Sequence, residues 1–389
     1  MGNQLLTASS WSGNTKYYPY IPFMASGTAG NWLFVDGEKS LYINPAGLVS
    51  SDLTWEKAST FNIGLDFTML NQRLDFSFDW YQRTTSDMLV KVEYPEVLGT
   101  TAPPANKAEL RTRGWEVSVK WNDRIGNDFS YDLGFILSDS QAEITKYENP
   151  SGTLSDYYVG QKIGEIWGYE TEGFYQSDTD VQNHADQSKL GANWAPGDIM
   201  YKDLDGNKKI NNGSNTLDDH GDLKVIGNTT PRYQYGITAN MSYKNVYLNV
   251  FFQGIGKRDF WPSSQPFWPV ATQYYNTQKW FVTDSWSEDN RDAYFARPIA
   301  RETKNQQKQT KYLQDASYCR LKNLTVGYDF PKSWLSFLHV AKAGVYFSAE
   351  NLFEFTNVKG AYDPEAAGKN GTMVYPFQRT YSFGLNVTF

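Results

Sequence analysis

Apolar and polar residues alternate at the end of this chain, from Arg379 to Phe389. The pattern predicts a strand with one apolar face, made by Tyr381, Phe383, Leu385, Val387 and Phe389. A soluble domain rarely ends on such a strand, because an exposed apolar edge invites pairing with other chains. In a transmembrane β-barrel this ending is natural, since closure pairs the last strand and lipid covers its apolar face.

The same alternation recurs in eight earlier segments, which makes nine predicted strands in all. The earlier segments are 61–67, 74–80, 115–121, 129–137, 235–241, 246–252, 324–330 and 343–347. Their opposite faces carry Asp, Ser, Thr, Asn, Gly and Lys, side chains that a water-filled lumen accepts and lipid does not. The alternative is a large soluble β-sandwich or propeller, whose strands also alternate.

The connections between the predicted strands alternate in length. The long ones are 86–111, 142–231, 255–316 and 350–376, and the short ones are 71–72, 122–128, 243–245 and 331–340. In outer-membrane barrels the short turns are periplasmic and the long loops are extracellular. The sequence therefore predicts an all-β protein, a transmembrane antiparallel β-barrel, in which 59–389 forms the barrel portion and 1–58 an extracellular loop region.

The number and direction of the predicted strands indicate a part of a larger barrel. A single-chain bacterial barrel has an even number of strands, whereas nine are predicted here. The first predicted strand also runs from the extracellular side toward the periplasm, although the first strand of a complete barrel starts in the periplasm. The segment Met1–Gln4 also lacks the features of a secretory signal. We therefore expect the sequence to be the C-terminal part of a longer protein.

Composition and motif content argue against several classes of function. Aromatic residues make up 16% of the chain, and no apolar run is long enough for a spanning helix. The formal net charge of -7, without a basic cluster, argues against nucleic acid. Carboxylate pairs such as Glu170 and Glu172 are more simply solvated loop side chains than glycosidase acids. No catalytic motif with metal, nucleophile or phosphate-loop spacing occurs, so an enzyme is not expected.

One segment carries the pattern of a calcium loop, because oxygen ligands recur at alternate positions of a turn-forming sequence. The candidate ligands are Asp203, Asp205, Asn207, Lys209 through its carbonyl, Asp218 and Asp219. Lys208 stands where a turn-forming Gly is expected, and Ser214 stands where a carboxylate is expected. Asp222 could also complete the site. A solvated turn that needs no ion is an equal alternative.

The connection 255–316 is rich in aromatic rings separated by prolines. Candidate ligand-binding rings are Trp261, Trp268, Tyr274, Tyr275, Trp280 and Trp286. Aromatic faces stack on sugar rings or on peptide side chains, and prolines lower the entropy lost on binding. The alternative is that these rings pack within the loop or against a lid protein.

Segments along nearly the whole chain carry a family resemblance. They are Gly2-Asn3-Gln4, Asp52 to Lys57 with Asn62 to Phe67, Ile163 to Tyr169 with Gly173-Phe174-Tyr175, Pro196 to Ile199 with Tyr201 to Gly206, Ile226-Gly227-Asn228 with Pro231, Tyr233 and Tyr235-Gly236, Phe251 to Gly254, Tyr318 to Tyr328, Ala349 to Leu352, and Pro376 to Phe389. In this order and spacing they resemble the C-terminal half of a SusC/RagA-type TonB-dependent transporter.

The resemblance implies a plugged barrel of about 22 strands in the bacterial outer membrane, of which this chain supplies about nine. It implies TonB-energised import of glycan oligomers or peptides, with TonB contacting the missing N-terminal part. The implied partners are a SusD-like surface lipoprotein, which lids the barrel, and outer-membrane lipid. No cofactor is required by the resemblance, with calcium as the open case.

Two alternatives to this function remain. One is a siderophore-type TonB-dependent receptor, which has the same architecture and a different cargo. The other is a soluble lectin-like or glycoside-hydrolase-like β-domain. A soluble sandwich would bury the apolar strand faces against a second sheet, whereas a barrel presents them outward.

Overall fold

A computed structural model describes most of the 389-residue chain. The described residues are 22, 24, 26–33, 39–44, 46, 48–50, 53–90, 97, 103–264, 266–270, 277–335, 340–360, 362–367 and 377–389. Within these ranges, no helix has the length and apolar character that crossing a membrane requires.

The described secondary structure is dominated by strands. In chain order the strands are β1 (Ser26–Leu33), β2 (Lys39–Ile43), β3 (Lys57–Met69), β4 (Leu74–Val90), β5 (Ala105–Ile125), β6 (Phe129–Lys146), β7 (Glu165–Tyr169), β8 (Thr171–Phe174), β9 (Ile199–Tyr201), β10 (Leu223–Asn228), β11 (Arg232–Tyr243), β12 (Val246–Lys257), β13 (Asp259–Phe260), β14 (Gln314–Asp315), β15 (Tyr318–Asp329), β16 (Lys342–Thr356) and β17 (Thr380–Thr388). The short helices are α1 (Asp178–Asn183), α2 (Lys279–Thr283) and α3 (Lys332–Leu335), with a 3-10 turn at Lys304–Gln306.

Nine of these strands form one sheet, in the order β17-β16-β15-β12-β11-β6-β5-β4-β3. The pairs from β6 to β17 are antiparallel, and their registers are continuous apart from bulges beside Leu321. These are the nine strands that alternation predicts, so the predicted all-β antiparallel sheet is confirmed. The remaining described strands form four two-stranded sheets, β1-β2, β7-β10, β8-β9 and β13-β14.

The chain divides into two compact units. The first contains 1–61, 82–113 and 142–162, and its buried side chains include Met88, Ala108 and Ile144. In this unit the connection after β6 returns to the strand, since Ile144 N–H donates to the Gln161 carbonyl at 2.9 Å. The second unit contains 62–81, 114–141 and 163–389, which includes most of the sheet and the longer described loops.

The apolar face of the sheet is exposed. Phe383 is 84% exposed and Leu385 64%, at the centre of β17. Their register partners on β16 are Phe347 and Val345, and the Phe347 and Phe383 rings lie 5.1 Å apart. A sandwich would bury such residues under a second sheet, so their exposure excludes the soluble alternative at these strands.

The opposite face is polar, and its side chains bond across strands. Asn240 lies between Asp132 and Asn249, with amide contacts of 3.3 and 3.1 Å. Tyrosine rings lie over glycines of the neighbouring strand, and a Cβ at Gly384 would come within 2.2 Å of the Tyr346 ring. This face therefore combines hydrogen-bonding groups with a closely packed wall, as the lumen of a barrel requires.

The strands extend beyond the bounds that alternation predicts. The long connections are 91–104, 147–231, 258–317 and 357–379, each narrower than predicted, and the short ones are 70–73, 126–128, 244–245 and 330–341. The C-terminal half of β4 begins with residues 82–87, which are polar on both faces, so this part of the strand carries no alternation signal. Which side of the membrane each connection faces stays a prediction, as does the assignment of 1–58.

Candidate functional site

Two long connections of the second unit, 163–231 and 258–317, pack together, and we call their described residues the loop assembly. Its centre is an aromatic core that includes the fully buried Tyr201, Phe267 and Tyr312. The Phe267 ring contacts six other rings, with centroids 4.8–6.4 Å away. Burial raises the pKa of the Tyr294 hydroxyl to about 12. This hydroxyl accepts a hydrogen bond from the side-chain amide of Gln314.

The structure brings four of the predicted ligand-binding rings into or against this core. Trp268 and Trp286 are each only 8% exposed and belong to the core itself. Trp261 and Trp280 are partly buried and pack against it. Tyr274 and Tyr275 lie outside the described residues. Packing therefore accounts for most of the surface of Trp268 and Trp286, and ligand binding by these six rings stays a prediction.

A buried carboxylate joins the two connections. Asp198 is fully buried and accepts two hydrogen bonds from Arg297, at 2.8 and 2.9 Å, and one from Asn305 at 2.9 Å. The buried ammonium of Lys304 lies 3.0 Å from the same carboxylate. Burial acts to raise the pKa of Asp198, but the bonds from Arg297, Asn305 and Lys304 outweigh it and hold this pKa below its usual value.

Buried amides extend this arrangement around Tyr201. The Gln187 side chain accepts from the Tyr201 N–H at 2.6 Å and donates to the Ile199 carbonyl at 3.0 Å. The Tyr201 hydroxyl donates to the Lys304 carbonyl and accepts from Gln309. The loop assembly is therefore held by specific polar bonds as well as by aromatic packing.

A second buried cation holds the connection between β16 and β17. Arg320 is 1% exposed and pairs with Glu354, with Asp363 at 2.9 Å and with Glu365 at 2.8 Å. Lys322 also pairs with Glu365, at 2.8 Å. This cluster fastens Asp363 and Glu365 of the connection to the start of β15 and the end of β16.

The predicted calcium loop brings three carboxylates together. One oxygen each from Asp203, Asp205 and Asp222 lies within 4.8 Å of the others. Lys208 has a φ of 62°, so it makes the left-handed turn for which the calcium pattern uses Gly. An all-oxygen set on a tight turn fits a hard cation such as calcium.

Of the other predicted ligands, Asn207 lies beside the cluster, where its side-chain amide donates to Asp205 at 2.7 Å. The side-chain Oδ1 of Asn207 accepts from the Lys209 N–H at 2.7 Å, and Asp219 accepts from the backbone N–H and the hydroxyl of Ser214. Neither Asp219 nor Asp218 joins the three clustered carboxylates, and Asp222 takes their place. Both Asp222 oxygens accept backbone N–H groups, as in a turn that needs no ion. Calcium binding stays a prediction.

Residues 12–352 match the protein family described as TonB dependent receptor-like, beta-barrel. The chain belongs to this family. Members of this family of TonB-dependent receptor barrels lie in the bacterial outer membrane, as the sequence predicts, and the exposed apolar face of the sheet is the surface that lipid covers.

Curated relatives of the chain are named TonB-dependent receptors, and one of them is SusC. The chain is 30% identical over 366 residues to TonB-dependent receptor P3 of Formosa agariphila, covering 87% of this chain and 35% of the relative. It is 27% identical over 355 residues to TonB-dependent receptor SusC of Bacteroides thetaiotaomicron, covering 87% of this chain and 32% of the relative. The chain thus spans about a third of their length. None of these names describes an enzyme, in agreement with the prediction.

Solved structures of RagAB show the same fold. The structure of the RagAB peptide transporter matches with a TM-score of 0.70 at 23% identity, covering 96% of this chain and 39% of that chain. The RagAB peptide importer in the open-open state matches with a TM-score of 0.71 at 24% identity, covering 96% and 38%. The SusC/RagA resemblance is confirmed.

Replacing Asp198 by Ala should loosen the loop assembly of this receptor barrel. The buried Lys304 ammonium would lose its carboxylate, a change that typically costs about 3–5 kcal/mol. Hydrogen exchange at 186–201 and 297–312 measures the effect, with Asp178→Ala on the exposed face of α1 as control. Because the pKa of Asp198 is lowered by folding, its contribution is present at neutral pH and is lost as pH falls below about 4. Unchanged hydrogen exchange at 186–201 and 297–312 in Asp198→Ala would contradict the role of Asp198 in holding the two connections together.

If the Asp203 loop binds calcium, the ion should protect it from proteolysis. Without a cation the clustered carboxylates repel one another, so chelator should speed tryptic cleavage after Lys208 and Lys209. The variant Asp205→Asn should remove the calcium effect, and Asp218→Asn, outside the cluster, should retain it. Cleavage at equal rates with calcium and with chelator would favour the ion-free turn.

Proposed function

We propose that the protein to which this chain belongs imports oligomeric nutrients, glycans or peptides, across the outer membrane. Energy comes from the inner membrane through TonB, and a SusD-like surface lipoprotein covers the extracellular opening. In this proposal the chain supplies wall strands and the loops that first meet the cargo.

The observation that carries the proposal is the contrast between the two faces of the nine-stranded sheet. One face exposes Phe383 and Leu385, and the other presents polar groups such as Asn240 and Asp132. A wall between lipid and water needs this arrangement, and it serves passage of hydrophilic cargo. The loop assembly adds a preformed surface beside the strands, which lowers the entropy lost when cargo binds.

The cargo class and the partner rest on similarity. The relative from Bacteroides thetaiotaomicron is named SusC, and the RagAB structures are described as a peptide transporter and a peptide importer. These names support oligomer import and a two-component assembly for this chain. A siderophore-type receptor is the second candidate, because the same barrel architecture serves it.

Import can be tested in cells that make the protein. Uptake of fluorescently labelled oligosaccharides and oligopeptides should fall to background when its gene is deleted, and equally when TonB is deleted, because the proposed step draws on the inner membrane. Complementation with the intact gene is the control. Uptake that survives loss of TonB would contradict the proposal, and selective loss of ferric siderophore uptake would favour the second candidate.

A further inference from the structure

The loop assembly contains an open cleft of about 550 Å³, a size typical of ligand sites. It is bordered by the end of β7, by residues 189–190, by Trp261 and by residues 306–308. All of these lie in the second unit. The cleft borders the aromatic core, of which Tyr169 is a member and against which Trp261 packs, and the carboxylates of the Asp203 loop do not line it.

The wall of the cleft is fixed by backbone bonds. Tyr169 N–H donates to the Lys308 carbonyl at 2.8 Å, and Thr310 N–H donates to the Tyr169 carbonyl at 3.1 Å. A Cβ at Gly168 would lie 2.5 Å from the Lys308 carbonyl oxygen, so only Gly allows this approach. The groups around the cleft are therefore held in place before any ligand arrives.

Two indole rings border the cleft and are partly exposed. Trp167 packs beside His220, with ring centroids 5.4 Å apart, and Trp261 packs beside Trp268 at 6.0 Å. Each indole is thus supported by a neighbouring ring while it lines the opening. Rings supported in this way bind the apolar faces of sugars without losing much side-chain entropy.

The polar groups of the cleft are amides and lysines. Gln306 and Gln307 supply side-chain amides, which both donate to and accept from hydroxyl groups. Lys189 and Lys308 are exposed at its border, and no Asp or Glu is among the described residues that line it. The two charged side chains among these lining residues are thus both cationic, in a chain with a net charge of -7. Lys189 and Lys308 are complementary to acidic groups on a ligand.

The end of β7 that borders the cleft does not offer a strand edge to a peptide. At Tyr169, β7 pairs with β10 on one side and with residues 308–310 on the other. A peptide that adds itself to a sheet needs an edge with unpaired backbone groups. Recognition here therefore relies on side chains, which favours rings bearing hydroxyls and charges over an extended peptide.

From these features we infer that the cleft binds an anionic oligosaccharide, with sugar rings on Trp167 and Trp261 and uronate or sulfate groups near Lys189 and Lys308. This inference rests on the proposed import function and names the class of cargo. The cleft acts as a recognition site in the loops and takes no part in energy coupling.

Calorimetry on the full-length protein in detergent tests the inference, with tetragalacturonate as anionic probe, maltotetraose as neutral probe and tetraglutamate as acidic peptide. Tetragalacturonate should bind most tightly.

The double variant Lys189→Gln and Lys308→Gln should weaken tetragalacturonate binding about fivefold at low salt, since two exposed ion pairs are lost. It should leave maltotetraose binding unaffected. Trp167→Phe should weaken both sugars about threefold by reducing the stacked area. Lys279→Gln, on an exposed lysine of α2, is the matched control.

Several results would overturn the inference. They are the absence of saturable tetragalacturonate binding, equal binding of tetraglutamate, and lysine variants that bind like the control. The calorimetry needs no TonB. If tetragalacturonate does not bind but TonB-dependent uptake is intact, the cleft assignment is wrong and the proposed import function stands. If tetragalacturonate binds but uptake does not depend on TonB, the proposed import function is wrong instead.

Discussion

The structure depends on one constraint, that backbone N–H and C=O groups facing hydrocarbon must be bonded within the protein. The nine-stranded sheet meets it by pairing each interior strand on both sides, as β11 pairs with β6 and β12 in continuous register. Regular pairing in turn makes side chains alternate between two faces. The faces meet different solvents, so the apolar residues of β17 and the polar row around Asn240 follow from the same pairing.

The loops beyond the sheet are not covered by lipid, so contacts among their own side chains must fix their structure. The loop assembly does so with an aromatic core around Phe267 and with the buried Asp198, which bonds to Arg297, Lys304 and Asn305. A removed partner would leave a charge buried and unpaired, so such a cluster specifies one arrangement of the two connections. The cleft beside Trp167 and Trp261 lies within this assembly, so the same packing and backbone bonds hold its wall in place.

The sequence predicted the nine strands because two solvents impose a period of two on the side chains. It did not predict the full length of the strands, because residues such as Gln82 to Asp87 in β4 are polar on both faces. It also missed the pairing of Asp198 with Lys304, since about a hundred residues separate them and no local pattern marks the contact. A tryptophan that packs and one that binds look alike in sequence, so Trp268 and Trp286 could not be assigned to the core before their burial was known.

The central claim is that the two faces of the sheet meet lipid and lumen, respectively. Spin labels at single cysteines along β17, in a Cys319→Ser background of the full-length protein in bilayers, test it most directly. The account predicts that collisions with membrane-dissolved oxygen are frequent at Phe383 and Leu385 and infrequent at Ser382 and Asn386, in strict alternation. Equal accessibility at all four positions, or the reverse order, would contradict it.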